Sequence, residues 1–142
     1  MEVKQYKEFV RSFHFEGDIE RDKNRKDKTQ EYFTAELLVQ EVLGKMELSK
    51  PDLFTDKKKT FLDNACGDGQ FLTEIVIIKM ERSGCSLEEA LATTYGVELM
   101  EDNVRQCKAR MAGPEPTQRI IDILENNIIC TDALTFDYNF HK

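Results

Sequence analysis

The stretch from Thr60 to Met80 constrains the fold more than any other part of this 142-residue chain. A short apolar run, Thr60-Phe61-Leu62-Asp63, emerges from Lys57-Lys58-Lys59 and ends in Asn64-Ala65-Cys66-Gly67-Asp68-Gly69. That pattern reads as a strand entering a tight glycine turn. Gln70 to Met80 then runs apolar almost all round. Periodicity alone also allows a strand at 75–78. A helix is expected, because a turn and a helix must follow the glycines for a site to form, and a helix apolar on most faces is a buried one.

The flanking segments extend the alternation. Val3, Tyr6, Phe9, Val10 and Phe13 recur at helical spacing, predicting a short amphipathic helix over 3–15 that packs on the body. The charged run 20–28 reads as a loop. Leu37, Leu38, Val42, Leu43 and Met46 predict a second amphipathic helix over 36–46. Ser86-Leu87-Glu88-Glu89 is a capping box opening a short helix. Thr94 to Glu98 reads as a second strand, 100–111 as a helix ended by Gly113-Pro114, 118–125 as a helix, and 127–131 as a third strand. Strands alternating with helices imply an α/β fold with a parallel sheet built from right-handed crossovers. The expected division is an N-terminal helix and charged linker over 1–27 and an α/β domain over 28–142.

Charge narrows the partners. The chain carries a net −7, and residues 1–30 hold eight basic and seven acidic side chains, leaving twelve and twenty in 31–142. A body this acidic repels duplex phosphate. The exception is Arg21 to Lys28, with five basic and two acidic residues, a solvated linker or a nucleic-acid contact. No apolar run spans a bilayer and no secretory signal is visible, so a cytoplasmic protein with no membrane association is expected. Cys66, Cys85, Cys107 and Cys130 lie too far apart for a zinc site and read as buried reduced thiols. No metal is expected, and histidine catalysis has no support from His14 and His141.

Asp63-x-x-x-Gly67-x-Gly69 lies between a strand and a helix, with Glu98 ending the next strand. Glycines let backbone approach a ligand, the helix start offers free N–H groups, and an acid at the second position binds ribose hydroxyls in nucleotide-binding sheets. A dinucleotide fingerprint needs Gly or Ala three residues after Gly69, where this chain has Leu72. That disfavours a pyrophosphate cofactor and leaves room for a nucleoside without one.

Asp63-Asn64-Ala65-Cys66-Gly67-Asp68-Gly69-Gln70-Phe71-Leu72 resembles the first motif, D-P-A-C-G-S-G-x-F-L, of the adenine-N6 DNA methyltransferases. Residues 28–35, ending Tyr32-Phe33-Thr34-Ala35, resemble the preceding segment, which commonly ends F-T-P. Tyr95-Gly96-Val97-Glu98 is similar to the second motif, and Cys130-Thr131-Asp132-Ala133-Leu134 to the third. The resemblance covers about 28–135 in order and spacing. It implies a Rossmann-like methyltransferase fold, whole or as its cofactor-binding half only, with S-adenosylmethionine as cofactor.

The implied binding set follows motif by motif. Tyr32, Phe33 and Thr34 would fold over the methionine end of the cofactor. Asp63, Ala65, Cys66, Gly67, Gly69 and Phe71 would form the cradle. Glu98 and Leu99 would meet the ribose, and Asp132, Ala133 and Leu134 the adenine. Ala35 and Asn64 replace family prolines, which is expected to loosen both loops. The family's catalytic Asn/Asp/Ser-Pro-Pro-Tyr/Phe motif has no counterpart, since no two of the three prolines are adjacent. In the family that motif holds the flipped adenine. Catalytic residues are therefore unassigned, and the catalytic and target-recognition parts are expected outside these residues. DNA, in a restriction-modification setting, is a partner by resemblance only. Self-association, or a chain supplying the missing half, is expected. The alternatives are a non-catalytic S-adenosylmethionine-binding module or partner subunit, and, disfavoured by Leu72, a small oxidoreductase.

Overall fold

A computed structural model describes residues 1–13 and 25–141, with 25–35 described by backbone only. Its elements in order are α1 (Val3–Ser12), α2 (Arg25–Ser49), β1 (Phe61–Asp63), α3 (Gln70–Ser83), α4 (Leu87–Ala92), β2 (Thr94–Glu98), α5 (Glu101–Ala112), α6 (Gln118–Asn127) and β3 (Ile128–Cys130). The strands form one parallel three-stranded sheet in the order β1-β2-β3. The architecture is α/β, a small parallel sheet flanked by helices. Among the described residues no helix is long and apolar enough to cross a membrane.

Local chemistry sets the boundaries. Gly84, at φ 73°, closes α3 in the left-handed region that glycine adopts without penalty. The capping box is complete: Ser86 Oγ accepts from the Glu89 N–H, and Glu89 Oε1 accepts from the Ser86 N–H. Ser86→Ala is expected to cost about 1 kcal/mol in a denaturant titration. A change near zero would show that α4 owes nothing to its cap.

Strands laid down in sequence, each joined by a right-handed crossover, place the connecting helices on one face of the sheet. Register agrees with this. Phe61 pairs with Thr94 and Gly96 with Ile128, so these four side-chain positions share a face. Phe61 and Ile128 lie in the main core, and Thr94 Oγ1 donates to the Ala90 carbonyl of α4. Helix α3 is the centre of this layer. Its apolar character reflects burial: Leu72, Ile75, Val76, Ile77 and Met80 are all inside. Tyr6 and Val10 attach α1 to the same core.

The opposite face carries Leu62, Tyr95, Val97 and Ile129. No helix covers it among the described residues. The C-terminal tail crosses it instead. Phe136 meets Tyr138 and Phe140 at 5.1 and 5.3 Å between ring centroids, and Phe140 lies 4.7 Å from Tyr95. Leu62, on the β1 side, stays 50% exposed.

Four expectations need correction. The loop expected over 20–28 gives way to helix from Arg25, while residues 14–24 lie outside the described residues. Ala35, expected to loosen a loop, is inside α2, because alanine keeps the N–H and lacks the ring with which proline breaks a helix. The buried stripe of α2 is Val39 and Leu43, and Leu37, Leu38 and Met46 are exposed. Finally, Cys130 is exposed, unlike Cys66, Cys85 and Cys107. It ends β3, which among the described residues is an edge of the sheet.

Candidate functional site

The residues of the first, second and third motifs converge at the carboxyl ends of the strands, where open parallel sheets bind ligands. Glu98 is the hub. Its Oε1 accepts from the Gly67 N–H (3.2 Å), and its Oε2 accepts from the Met100 N–H (3.0 Å) and from Asn103 Nδ2 (3.2 Å). The Glu98 carbonyl takes the Thr131 N–H at 3.1 Å, bringing the end of β3 alongside. One carboxylate thus ties the glycine loop, the start of α5 and, through its backbone, the third motif. A carboxylate has about four acceptor positions, so three donors leave room for a ligand hydroxyl.

The loop itself is shaped by close packing. The Cys66 N–H donates to the Val97 carbonyl (3.0 Å) and the Gly69 N–H to the Cys66 carbonyl (2.9 Å), folding the turn back onto β2. Asp63 Oδ1 accepts the Ala65 N–H at 3.0 Å, a local turn that holds the exposed Ala65. Gly67 sits at φ 54° with open space where a Cβ would stand. Gly69, at φ 93°, is different, since a Cβ there would come 3.0 Å from Cys107 Sγ. The neighbouring Cys66 thiol, together with burial, pushes the Cys107 thiol well above its ordinary range. Cys107 therefore stays protonated and packs as a small apolar group under the loop. Phe71, half-buried, packs against the core at the first turn of α3.

Asp132 is exposed. Its Oδ1 accepts the Leu134 N–H (2.9 Å), and its carbonyl accepts the Thr135 and Phe136 N–H groups, making a tight turn after β3. Leu99 and Leu134 are 65% and 93% exposed, so two large apolar side chains stand in solvent beside two carboxylates. Ala133 is half-buried, and its carbonyl takes the Tyr138 hydroxyl at 2.7 Å. Tyr32, Phe33 and Thr34 belong to the backbone of α2, and their side chains lie outside the described residues.

Five residues that shape the site were given no role by the motif reading. Met100 and Asn103 hold Glu98, and only their nearness in sequence hinted at it. Asp68 of the loop pairs with the buried Arg110 of α5 at 3.5 Å, and Arg110 lies over the Phe13 ring at 5.5 Å. Gly96 was the legible one, because a glycine inside a strand marks close backbone approach. A Cβ there would fall 2.7 Å from Leu72 Cδ1 and 2.9 Å from Cys66 Sγ.

Compared with protein families, with curated proteins and with solved structures, the chain finds no match.

Proposed function

We propose that this chain binds S-adenosylmethionine at its strand ends, as the cofactor-holding part of an adenine-N6 DNA methyltransferase with a Rossmann-like fold. The observation that carries the reading is Glu98, held by three donors at the end of β2 beside the open space at Gly67. A carboxylate fixed in this way is ready to accept ribose hydroxyls without rearranging. The exposed Leu99 and Leu134 offer apolar surface to a purine ring, and Asp132 an acceptor for its amino group. Asp63 ends β1 at the loop, and its negative charge favours the cationic sulfonium and ammonium of this cofactor over a pyrophosphate. Bound there, the cofactor would supply an activated methyl group, and these residues hold and orient it.

No Pro-Pro pair occurs in the sequence to grip a flipped adenine, and the body is acidic. Base recognition and DNA affinity would therefore come from other polypeptide. The same absence favours, as a second reading, a module that holds the cofactor without performing transfer.

Calorimetry with S-adenosylmethionine and its demethylated product, against NAD as control, tests the proposal. Both should bind, and Glu98→Ala should weaken them by about 1–3 kcal/mol through lost charge-assisted hydrogen bonds. Tighter binding of NAD, or no binding of either ligand at millimolar concentration, would overturn it.

A further inference from the structure

We propose that Arg11 is a positioning residue, which holds the first turns of α2 over the glycine loop, where they meet the amino-acid end of the bound ligand. The proposal rests on the S-adenosylmethionine reading of the site. Arg11 lies near the end of α1, and its guanidinium bridges two other helices. Its Nε is shared between Glu36 Oε1 of α2 at 2.9 Å and Glu74 Oε1 of α3 at 3.4 Å, and its Nη2 donates to Glu74 Oε2 at 3.2 Å. Glu74 is buried, so the cation beside it offsets the cost of taking a carboxylate out of water.

The bridge sets the register of α2 along α3. Glu36 stands level with Glu74 across Arg11. Further on, Arg82 of α3 grips Glu47 of α2 with Nε on Oε2 at 2.8 Å and Nη2 on Oε1 at 3.2 Å. The two links advance together along both helices, so α2 and α3 run side by side in the same direction. Helix α3 begins at Gln70, only four residues before Glu74, whereas α2 begins at Arg25, eleven residues before Glu36. At about 1.5 Å of rise per residue, the start of α2 overhangs the start of α3 by roughly 10 Å. What lies beyond the start of α3 is the glycine loop. A second contact keeps the end of α1 beside that loop. Arg110, paired with Asp68 of the loop, lies over the ring of Phe13, two residues past Arg11. Ribose at Glu98 on β2 and purine towards Asp132 after β3 leave the other end of the ligand towards β1 and α3, beneath the overhang.

Glu36→Ala tests this without stripping the buried Glu74 of Arg11. Calorimetry compares S-adenosylmethionine with 5′-methylthioadenosine, which has the same nucleoside and sulfur and no amino-acid part. The variant should bind S-adenosylmethionine roughly three- to tenfold more weakly and methylthioadenosine as the parent does. Arg11→Lys keeps the charge without the fork and should show a smaller loss of the same selective kind. Amide exchange reads the clasp without ligand: amides of 28–35 should exchange faster in Glu36→Ala, with those of 87–98 unchanged. Equal weakening of both ligands, or parental affinity for both, overturns the proposal. Amides of 28–35 that exchange at the parental rate overturn it as well. If the parent binds neither ligand, the reading of the site fails, and the exchange comparison alone decides whether Arg11 holds α2.

Discussion

Tyr6→Ala is expected to destabilise the protein by about 3–5 kcal/mol, the range for truncating a buried aromatic side chain. Tyr6 is fully buried although it lies only six residues from the start of the sequence. Its hydroxyl donates to the Met111 carbonyl at 2.8 Å, in the last turn of α5, where helix carbonyls lack intrahelical partners. The side chain therefore fills a core position and satisfies the end of another helix. Tyr6→Phe separates the two contributions and should cost about 1–2 kcal/mol through the orphaned carbonyl. Burial, the largest cause, also pushes the Tyr6 phenol far above its ordinary value of 10.0. The sign follows from linkage. The folded state keeps this proton while the unfolded chain gives it up, so stability is intact below the ordinary phenol range and falls as pH rises beyond it. Tyr6→Phe should flatten that alkaline limb. Urea titrations at neutral and alkaline pH check both points, and a loss below about 1 kcal/mol for Tyr6→Ala would mean that α1 is not part of the core.

Gly96→Val is expected to cost about 3 kcal/mol and to abolish ligand binding together with stability. The first atom added would stand 2.7 Å from Leu72 Cδ1, and the next nearest neighbours are Cys66 Sγ at 2.9 Å and Cys66 Cβ at 3.2 Å. A leucine methyl can turn away. Cys66 cannot, because its N–H is bonded to the Val97 carbonyl and its carbonyl receives the Gly69 N–H. Pushing Cys66 off the strand also moves Gly67, whose N–H reaches Glu98. Gly96→Ala presents the same collision with less bulk and should show a smaller loss of both properties. Thermal melts with and without S-adenosylmethionine would read the two effects. A variant of parental stability would show that the loop does not lie against β2.

Much of this was legible in sequence for identifiable reasons. The strands at 61–63 and 94–98 are short apolar runs bounded by charge and glycine, and the helix at 87–92 announces itself by Ser86 and Glu89. Glu98 was legible because it ends a strand. Its holders were not: nothing marks Asn103 as facing back along the chain towards Glu98 rather than into solvent. Helix α2 misled because leucines occupy more than one of its faces. Val39 and Leu43 are buried, and the neighbours that make that choice, α3 among them, leave no trace in its own sequence. The tail 135–142 alternates aromatic and polar residues, a pattern that by itself reads as an edge strand. Tyr138 instead takes a left-handed φ of 58°, which no strand permits, and the aromatic rings gather against Tyr95.

The consecutive strand order bears on how the chain finds its shape. Joining β1 to β2 closes the chain between positions 61 and 94, and joining β2 to β3 closes it between 96 and 128. Loop-closure entropy grows only with the logarithm of length, so two closures of nearly equal span carry nearly equal entropic cost. Neither is favoured by chain length, and local structure decides which closes first. The earlier crossover holds the apolar α3, its Gly84 stop and the Ser86 cap in one run, so its helices form against each other before any distant contact is needed. The β1–α3–α4–β2 unit is thus the natural nucleus, and the glycine loop is in place before the third strand arrives.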